Sequence, residues 1–229
     1  MGILRDFFLT IIHGRETAEF AQWDDVDQHA KFTGNRALQG TAGERKIGII
    51  FDKLPPEEYK VCPDLFLPAP RIPNTRICRA QIDFVVFSQY GIFVIEVKNY
   101  NCFISGREFD RNWTCSYAYG RVRKSRRNPL RQNIRHIETI QRITKLPKSV
   151  FHNYVIIVGD VRLKRPIKGV YIFEDDSFEG CITRRKKVLL SMEKVQAAYE
   201  AVCRLDNTSE DARQEYFDSL HELYSSNDE

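Results

Sequence analysis

The segment spanning residues 81–98 constrains the fold of this chain more than any other. Two runs rich in Val, Ile and Phe flank the polar break Ser88-Gln89-Tyr90-Gly91, a pattern typical of two β-strands joined by a tight turn. Pairing of the first and last residues of this break would set Asp83 directly opposite Glu96. Lys98 would lie on the same face, because side chains alternate along a strand. We therefore expect an antiparallel hairpin that presents two acids and a lysine together.

Two carboxylates at paired positions in apolar strands predict a metal site. Residues opposed across two strands have Cβ atoms about 5 Å apart, and like charges placed that way are destabilising unless something compensates them. A divalent cation would compensate, and Mg²⁺ typically takes one or two carboxylates while it keeps several waters. Lys98 would then orient an attacking water or offset negative charge in the transition state. The alternative is an exposed polar end of a hairpin with a salt bridge from Lys98, which leaves the pairing of the acids unexplained.

Together with other segments in a fixed order, these residues resemble the nuclease-related domain (NERD) family of the PD-(D/E)xK nuclease superfamily. A bare Asp followed by Glu-x-Lys is a weak pattern, but the whole series is specific and spans residues 40–160. The matching segments are Gly43-Glu44, Gln81-Ile82-Asp83, Gly91-Ile92-Phe93-Val94-Ile95-Glu96-Val97-Lys98-Asn99-Tyr100, Trp113 and Asn128-Pro129-Leu130-Arg131-Gln132-Asn133.

The resemblance implies a fold and a set of site residues. The fold would be α/β (mixed α+β), with a restriction-endonuclease-like core in which helices flank a central mixed β-sheet. One or two Mg²⁺ or Mn²⁺ ions would be held by Glu44, Asp83, Glu96 and the main-chain carbonyl of Val97. Lys98 matches the catalytic lysine, and Gln132 lies where many relatives carry a polar residue near the active site. None of these positions departs from the family pattern.

Charge is distributed very unevenly along the chain. Residues 121–148 contain ten Lys or Arg against Glu138 alone, whereas residues 191–229 contain ten acids against three basic residues. A basic cluster beside a metal site is the footprint expected for phosphate-backbone contacts, although a charge run is more often a solvated helix face. The predicted nucleic-acid-binding residues are Arg121, Arg123, Lys124, Arg126, Arg127, Arg131 and Arg135.

The functional prediction is a metal-dependent nuclease, a phosphodiesterase that acts on DNA rather than RNA. One alternative is a non-catalytic nucleic-acid-binding module. Another is a partner-dependent subunit of a defence or repair assembly, with a protein partner or a second copy of the chain docked on the acidic C-terminal helices. Fold alone does not choose among these.

Composition bounds the remaining expectations. Six cysteines without paired CxxC spacing predict reduced, mostly buried thiols in a cytoplasmic protein, and five scattered histidines argue against a zinc site. No stretch approaches eighteen apolar residues, so no membrane span is expected. The predicted organisation is an N-terminal extension at residues 1–38, the nuclease-related domain at 39–175, and acidic C-terminal helices at 176–229.

A coarse reading places the other elements. Helices are expected at residues 41–54, 193–204 and 211–224. A strand at 59–67 is expected to break at Cys62-Pro63, and residues 155–158 read as a central strand covered on both faces. Asn128 and Pro129 would begin a further helix, with Gln132 and Arg135 projecting away from its buried stripe. That stripe would be Leu130, Ile134, Ile137 and Ile140.

Overall fold

The computed structural model describes residues 42–70, 78–175, 178, 180–207 and 209–214. The predicted N-terminal extension, and the 211–224 helix beyond residue 214, lie outside these ranges. The helices are α1 (Ala42–Phe51), α2 (Pro129–Thr144) and α3 (Met192–Leu205). The strands are β1 (Tyr59–Pro68), β2 (Arg79–Ser88), β3 (Gly91–Asn99), β4 (Phe103–Ser105), β5 (Asn112–Tyr117), β6 (Val122–Arg127), β7 (Phe151–Val158), β8 (Arg162–Leu163) and β9 (Val170–Ile172).

The main sheet has the strand order β1-β2-β3-β7-β9. Ser88 pairs with Gly91, so the predicted β2–β3 hairpin and its register are confirmed. β3 and β7 pair in parallel, which makes the sheet mixed, since β1, β2 and β3 are antiparallel neighbours. The predicted fold class, mixed α/β with a central mixed sheet flanked by helices, is therefore confirmed.

The two faces of this sheet bury separate apolar cores. Along β2 and β3, alternate side chains such as Val85 and Val94 pack with α2 and α3, while their neighbours Phe84 and Ile95 pack with α1. β7 is buried from Tyr154 to Val158, as expected of a strand covered on both sides. Since both faces carry helices, the acids near the ends of β2 and β3 are also enclosed by protein.

A second sheet was not anticipated from the sequence. It has the order β6-β5-β4-β8, and the basic segment before α2 forms its edge strand, β6. Trp113 on β5 is 1% exposed, its indole N–H donates to the Arg107 carbonyl over 3.0 Å, and its ring fills the space where Gly106 lacks a side chain. This packing fixes β5 against the loop that connects it to β4.

Asparagine side chains position α2. Asn128 caps the helix through a 3.0 Å bond from the Leu130 N–H, with Pro129 in the first turn, as predicted. Asn133 is fully buried, and its Nδ2 donates to the Val94 carbonyl over 2.6 Å and to the Tyr154 carbonyl over 3.1 Å. One amide therefore joins α2 to both β3 and β7.

The predicted apolar stripe of α2 is wrong at one position. Leu130, Ile137 and Ile140 are buried, but Ile134 is 39% exposed. The reason is that the helix turns a partly polar face to the sheet. Asn133 is buried on that face, where apolar periodicity would place Ile134.

β1 continues through Pro63 without the expected break. Pro63 pairs with Phe84 and Leu65 with Ile82 in one register, while Asp64 between them takes a left-handed φ of 48°. At this outer edge of the main sheet, the Phe66 N–H donates to Asp206 and the Phe66 carbonyl accepts from the Asn207 N–H. The segment after α3 thus occupies the edge of β1 at this residue.

Two expectations from composition can be compared with the structure. All six cysteines lie in the described ranges as thiols, and four of them are buried, as predicted. Across the described ranges, every helix is too short or too polar to cross a membrane.

Replacing Asn133 with alanine should lower the free energy of unfolding by about 2–3 kcal/mol, because two buried main-chain carbonyls would lose their donor. Chemical denaturation of both proteins measures the difference. Asn112→Ala, which alters an exposed residue of β5, should stay within about 0.5 kcal/mol. Equal effects of the two variants would show that the Asn133 bonds do not hold α2 on the sheet.

Candidate metal centre

Asp83 lies where β2 and β3 stop pairing through their main chains. The last paired residues of the hairpin at this end are Phe84 and Ile95. Beyond them, the Val97 N–H donates to Asp83 Oδ2 over 2.8 Å, and Asp83 is 4% exposed. Because the N–H and C=O of one strand residue point toward the same neighbouring strand, the Val97 carbonyl also leaves β3 on the side of Asp83.

Glu96 is the most enclosed charge of the site. Its side chain has no exposed surface, and its two oxygens approach two different side chains: Lys98 Nζ lies 3.1 Å from Oε1, and the imidazole Nδ1 of His136 lies 3.5 Å from Oε2. Lys98 is itself only 6% exposed. The structure therefore brings Glu96 and Lys98 together on the face of β3 that α2 covers, and Asp83 is hydrogen-bonded to Val97 between them.

His136 was missed by reasoning from the sequence. It lies on α2, one turn after Gln132, and is 8% exposed. The sequence contained a signal for this residue, because polar residues recur at helical spacing along α2. In the structure all four of them are buried: Gln132, Asn133, His136 and Thr139. Polar residues that recur every three or four positions on a helix beside two acids indicate a buried polar site rather than a solvated face.

Gln132 lies on the buried side of α2 and not away from it. It is 5% exposed and shares the sheet-facing side of the helix with His136. The expected outward projection is therefore wrong for Gln132. Arg135 is half-buried. The turn that carries Gln132 and His136 is the turn that faces Glu96.

Glu44 belongs to α1, which packs on the opposite face of the sheet. The preceding residue, Gly43, contacts Val158, so the first turn of α1 lies at the end of β7 that is level with Asn99. In the described ranges, no three His, Cys, Asp or Glu side chains are grouped closely enough to hold a metal ion by themselves. Glu44 thus does not form such a three-residue group with Asp83 and Glu96, and its role stays a prediction.

The predicted basic residues divide by exposure. Arg126, Arg127 and Arg135 are half-buried, whereas the others are exposed. On β6, side chains alternate, so Arg123 and Arg127 share one face, and Arg126 shares the other with its buried partner Trp113.

Arg127 lies in a cluster of arginines. Burial, together with the nearby charges of Arg111, Arg131 and Arg135, lowers the pKa of Arg127 to about 10, so the group stays charged at neutral pH. Burial also lowers the pKa of Arg135, and Glu138 opposes that shift. Arg111, in the loop before β5, was not among the predicted basic residues because it lies outside the basic segment at 121–148.

Known proteins resemble this chain over much of its length. The model of a family described as "Nuclease-related domain" matches residues 39–158. The chain is 28% identical over 191 residues to an uncharacterized protein of Bacillus anthracis, and the match covers 81% of this chain and 85% of that protein. No solved structure matches the chain significantly.

Replacing His136 with alanine should lower the free energy of unfolding by about 2 kcal/mol at neutral pH, because buried Glu96 would lose the polar contact with the His136 imidazole. Denaturant titration measures this change. Glu138→Gln, at an exposed position of the same helix, is the matched control and should stay within about 0.5 kcal/mol. A His136→Ala effect as small as that of the control would mean that the contact with Glu96 does not contribute to stability.

Proposed function

Since the chain belongs to the nuclease-related domain family, we propose that it is a metal-dependent nuclease that hydrolyses phosphodiester bonds in DNA in preference to RNA. The observation that carries this proposal is the buried group of Asp83, Glu96 and Lys98 at one end of the sheet. Acids with 4% and 0% exposure, on strands that are otherwise apolar, are costly to the fold. Such groups are expected where chemistry requires them.

The residues present fit a hard divalent cation. Mg²⁺ prefers oxygen ligands and commonly uses one or two carboxylates while it keeps several waters. Asp83, Glu96 and the Val97 carbonyl supply oxygens of this type, and Glu44 would supply another from α1. A bound Mg²⁺ or Mn²⁺ would lower the pKa of a water ligand and stabilise charge on the phosphoryl group.

The protein groups have separable roles in this proposal. Asp83 is held by the Val97 N–H at 2.8 Å, which fixes its second oxygen relative to β3. Lys98, 3.1 Å from Glu96, would position the attacking water or neutralise the scissile phosphate. Gln132 would contact the substrate near the site, and His136 orients Glu96 from the facing helix.

Basic side chains around α2 would hold the nucleic acid. Arg121, Arg123 and Lys124 are exposed on or beside β6, where they suit contacts with the phosphate backbone that do not read sequence. Arg131 and Arg135 follow on α2, close to His136 in the chain. Half-buried Arg127 would continue this surface from β6, while Arg126, on the opposite face of that strand, would contribute from the Trp113 side.

A binding module without catalysis is the second candidate. The contact between Lys98 and Glu96 favours it, because an internal ion pair compensates a buried carboxylate without any metal ion. A third reading, a subunit that acts only with a protein partner on the C-terminal helices or as a homo-oligomer, predicts cleavage only after that partner is added.

Purified protein should cleave plasmid or labelled single-stranded DNA with Mg²⁺ or Mn²⁺ and not with EDTA. Asp83→Ala and Lys98→Ala should each lower the rate about 10²–10³-fold or more, because each removes a group that acts on the transition state. Gel analysis of initial rates measures the loss.

The matched controls are Asp52→Ala and Lys53→Ala, which alter exposed residues directly after α1. Both should cleave at the wild-type rate. Cleavage that survives in Asp83→Ala would refute the assigned site. Salt-sensitive binding without cleavage, unchanged in Asp83→Ala, would instead identify the binding module.

A further inference from the structure

We propose that Arg111, Arg127, Arg131 and Arg135 form a site for a terminal phosphate, the phosphate monoester at the end of a nucleic-acid strand. We refer to these four residues as the arginine cluster. The inference rests on the proposed function only in taking a nucleic acid as the ligand. It adds a recognition element outside the carboxylate site, and it includes Arg111, which no motif assigns.

The fold brings the four arginines together from three elements. Arg111 precedes β5, Arg127 ends β6, and Arg131 and Arg135 lie one turn apart on α2. The Asn128 N–H donates to the Arg111 carbonyl over 3.1 Å, and the Arg131 N–H donates to the Asn128 carbonyl over 3.1 Å. The main chains of all three elements are thus tied together at Asn128, immediately beneath the cluster.

Two arginines of the cluster keep side-chain donors that have no acceptor. Within the part of the chain that the structure describes, no carboxylate forms an ion pair with Arg127, Arg131 or Arg135, although the charge of Glu138 acts on Arg135. Nη1 of Arg127 and Nη1 of Arg135 are enclosed and have no hydrogen-bond acceptor. Burial, and after it the charges of the other three arginines, lowers the pKa of Arg127. The folded protein therefore concentrates positive charge here and leaves donors unused, which favours an anionic ligand.

A phosphate matches these donors in geometry and charge. The planar guanidinium fork binds phosphate oxygens in a bidentate manner, and the N-terminal end of a helix adds positive potential. The cluster begins at the first turn of α2, a 16-residue helix. A phosphate monoester carries about −1.5 to −2 charges at neutral pH, more than the single charge of an internal phosphodiester. Four converging guanidinium groups therefore favour the strand end over the strand interior.

The site also lies beside the proposed chemistry. Arg135 immediately precedes His136, whose Nδ1 is 3.5 Å from Glu96, and Arg131 immediately precedes buried Gln132. The two sites therefore share the first two turns of α2, with the arginines on one side of the helix and Gln132 and His136 on the side that faces the sheet.

The test measures binding of the full chain in EDTA, so that no metal-dependent cleavage is needed. Fluorescence anisotropy would compare one labelled oligonucleotide with a 5′-phosphate, with a 3′-phosphate, and with hydroxyls at both ends. We expect one phosphorylated form to bind about tenfold more tightly than the hydroxyl form, as one additional charge-assisted contact would provide. Arg127→Gln and Arg131→Gln should each remove this difference.

Arg142→Gln is the matched control. Arg142 is exposed on the same helix, eleven residues and about 16 Å beyond Arg131, and its replacement should leave the difference intact. Because Arg131 is exposed, its variant keeps the fold even if that of Arg127 does not. Equal binding of all three oligonucleotides, or a preference that persists in Arg131→Gln, would overturn the proposal.

Inorganic phosphate separates a strand-end site from a site for the free ion. A thermal shift with phosphate in wild type but not in Arg131→Gln, combined with equal binding of all oligonucleotides, would assign the cluster to free phosphate and overturn the strand-end assignment. This binding test does not measure cleavage. A protein that prefers a phosphorylated end but cleaves nothing would support this proposal and refute the nuclease proposal. A protein that cleaves DNA without this preference would do the opposite.

Discussion

The carboxylate of Glu96 imposes the constraint on which the arrangement of this protein depends. A charge with no exposed surface requires polar neighbours, because its desolvation is otherwise too costly. Lys98 comes from the same strand, but His136 comes from α2, and α2 is held in place by the amide of Asn133 between β3 and β7. The same contacts therefore place α2 on the sheet and set the geometry around Glu96.

Asn128 has a comparable role between the two sheets. Its Oδ1 caps α2, while its Nδ2 donates to the carbonyls of Glu108 and Asp110, each over 2.8 Å. These carbonyls belong to the loop between β4 and β5, so one side chain joins the second sheet to the helix of the carboxylate site. The position of the second sheet relative to α2 is therefore fixed at Asn128.

The sequence was most informative where one local rule determines the structure. The hairpin register followed from the break between Ser88 and Gly91, and the start of α2 followed from Asn128 and Pro129. β6 could not be predicted as a strand, because it has no apolar face and is a strand only through its pairing with β5. His136 and Arg111 were missed for a related reason: each gains its role from residues distant in sequence.

The closed edge of β1 has a consequence for assembly. An outer strand with open main-chain groups is a template on which another chain can add a strand. At Phe66 both main-chain groups are already engaged by Asp206 and Asn207, and Arg213 lies over the Phe66 ring. The residues after α3 therefore occupy a position on β1 where a strand of another chain would otherwise pair, and a chain shortened before residue 206 would leave the main-chain groups of Phe66 open to such pairing.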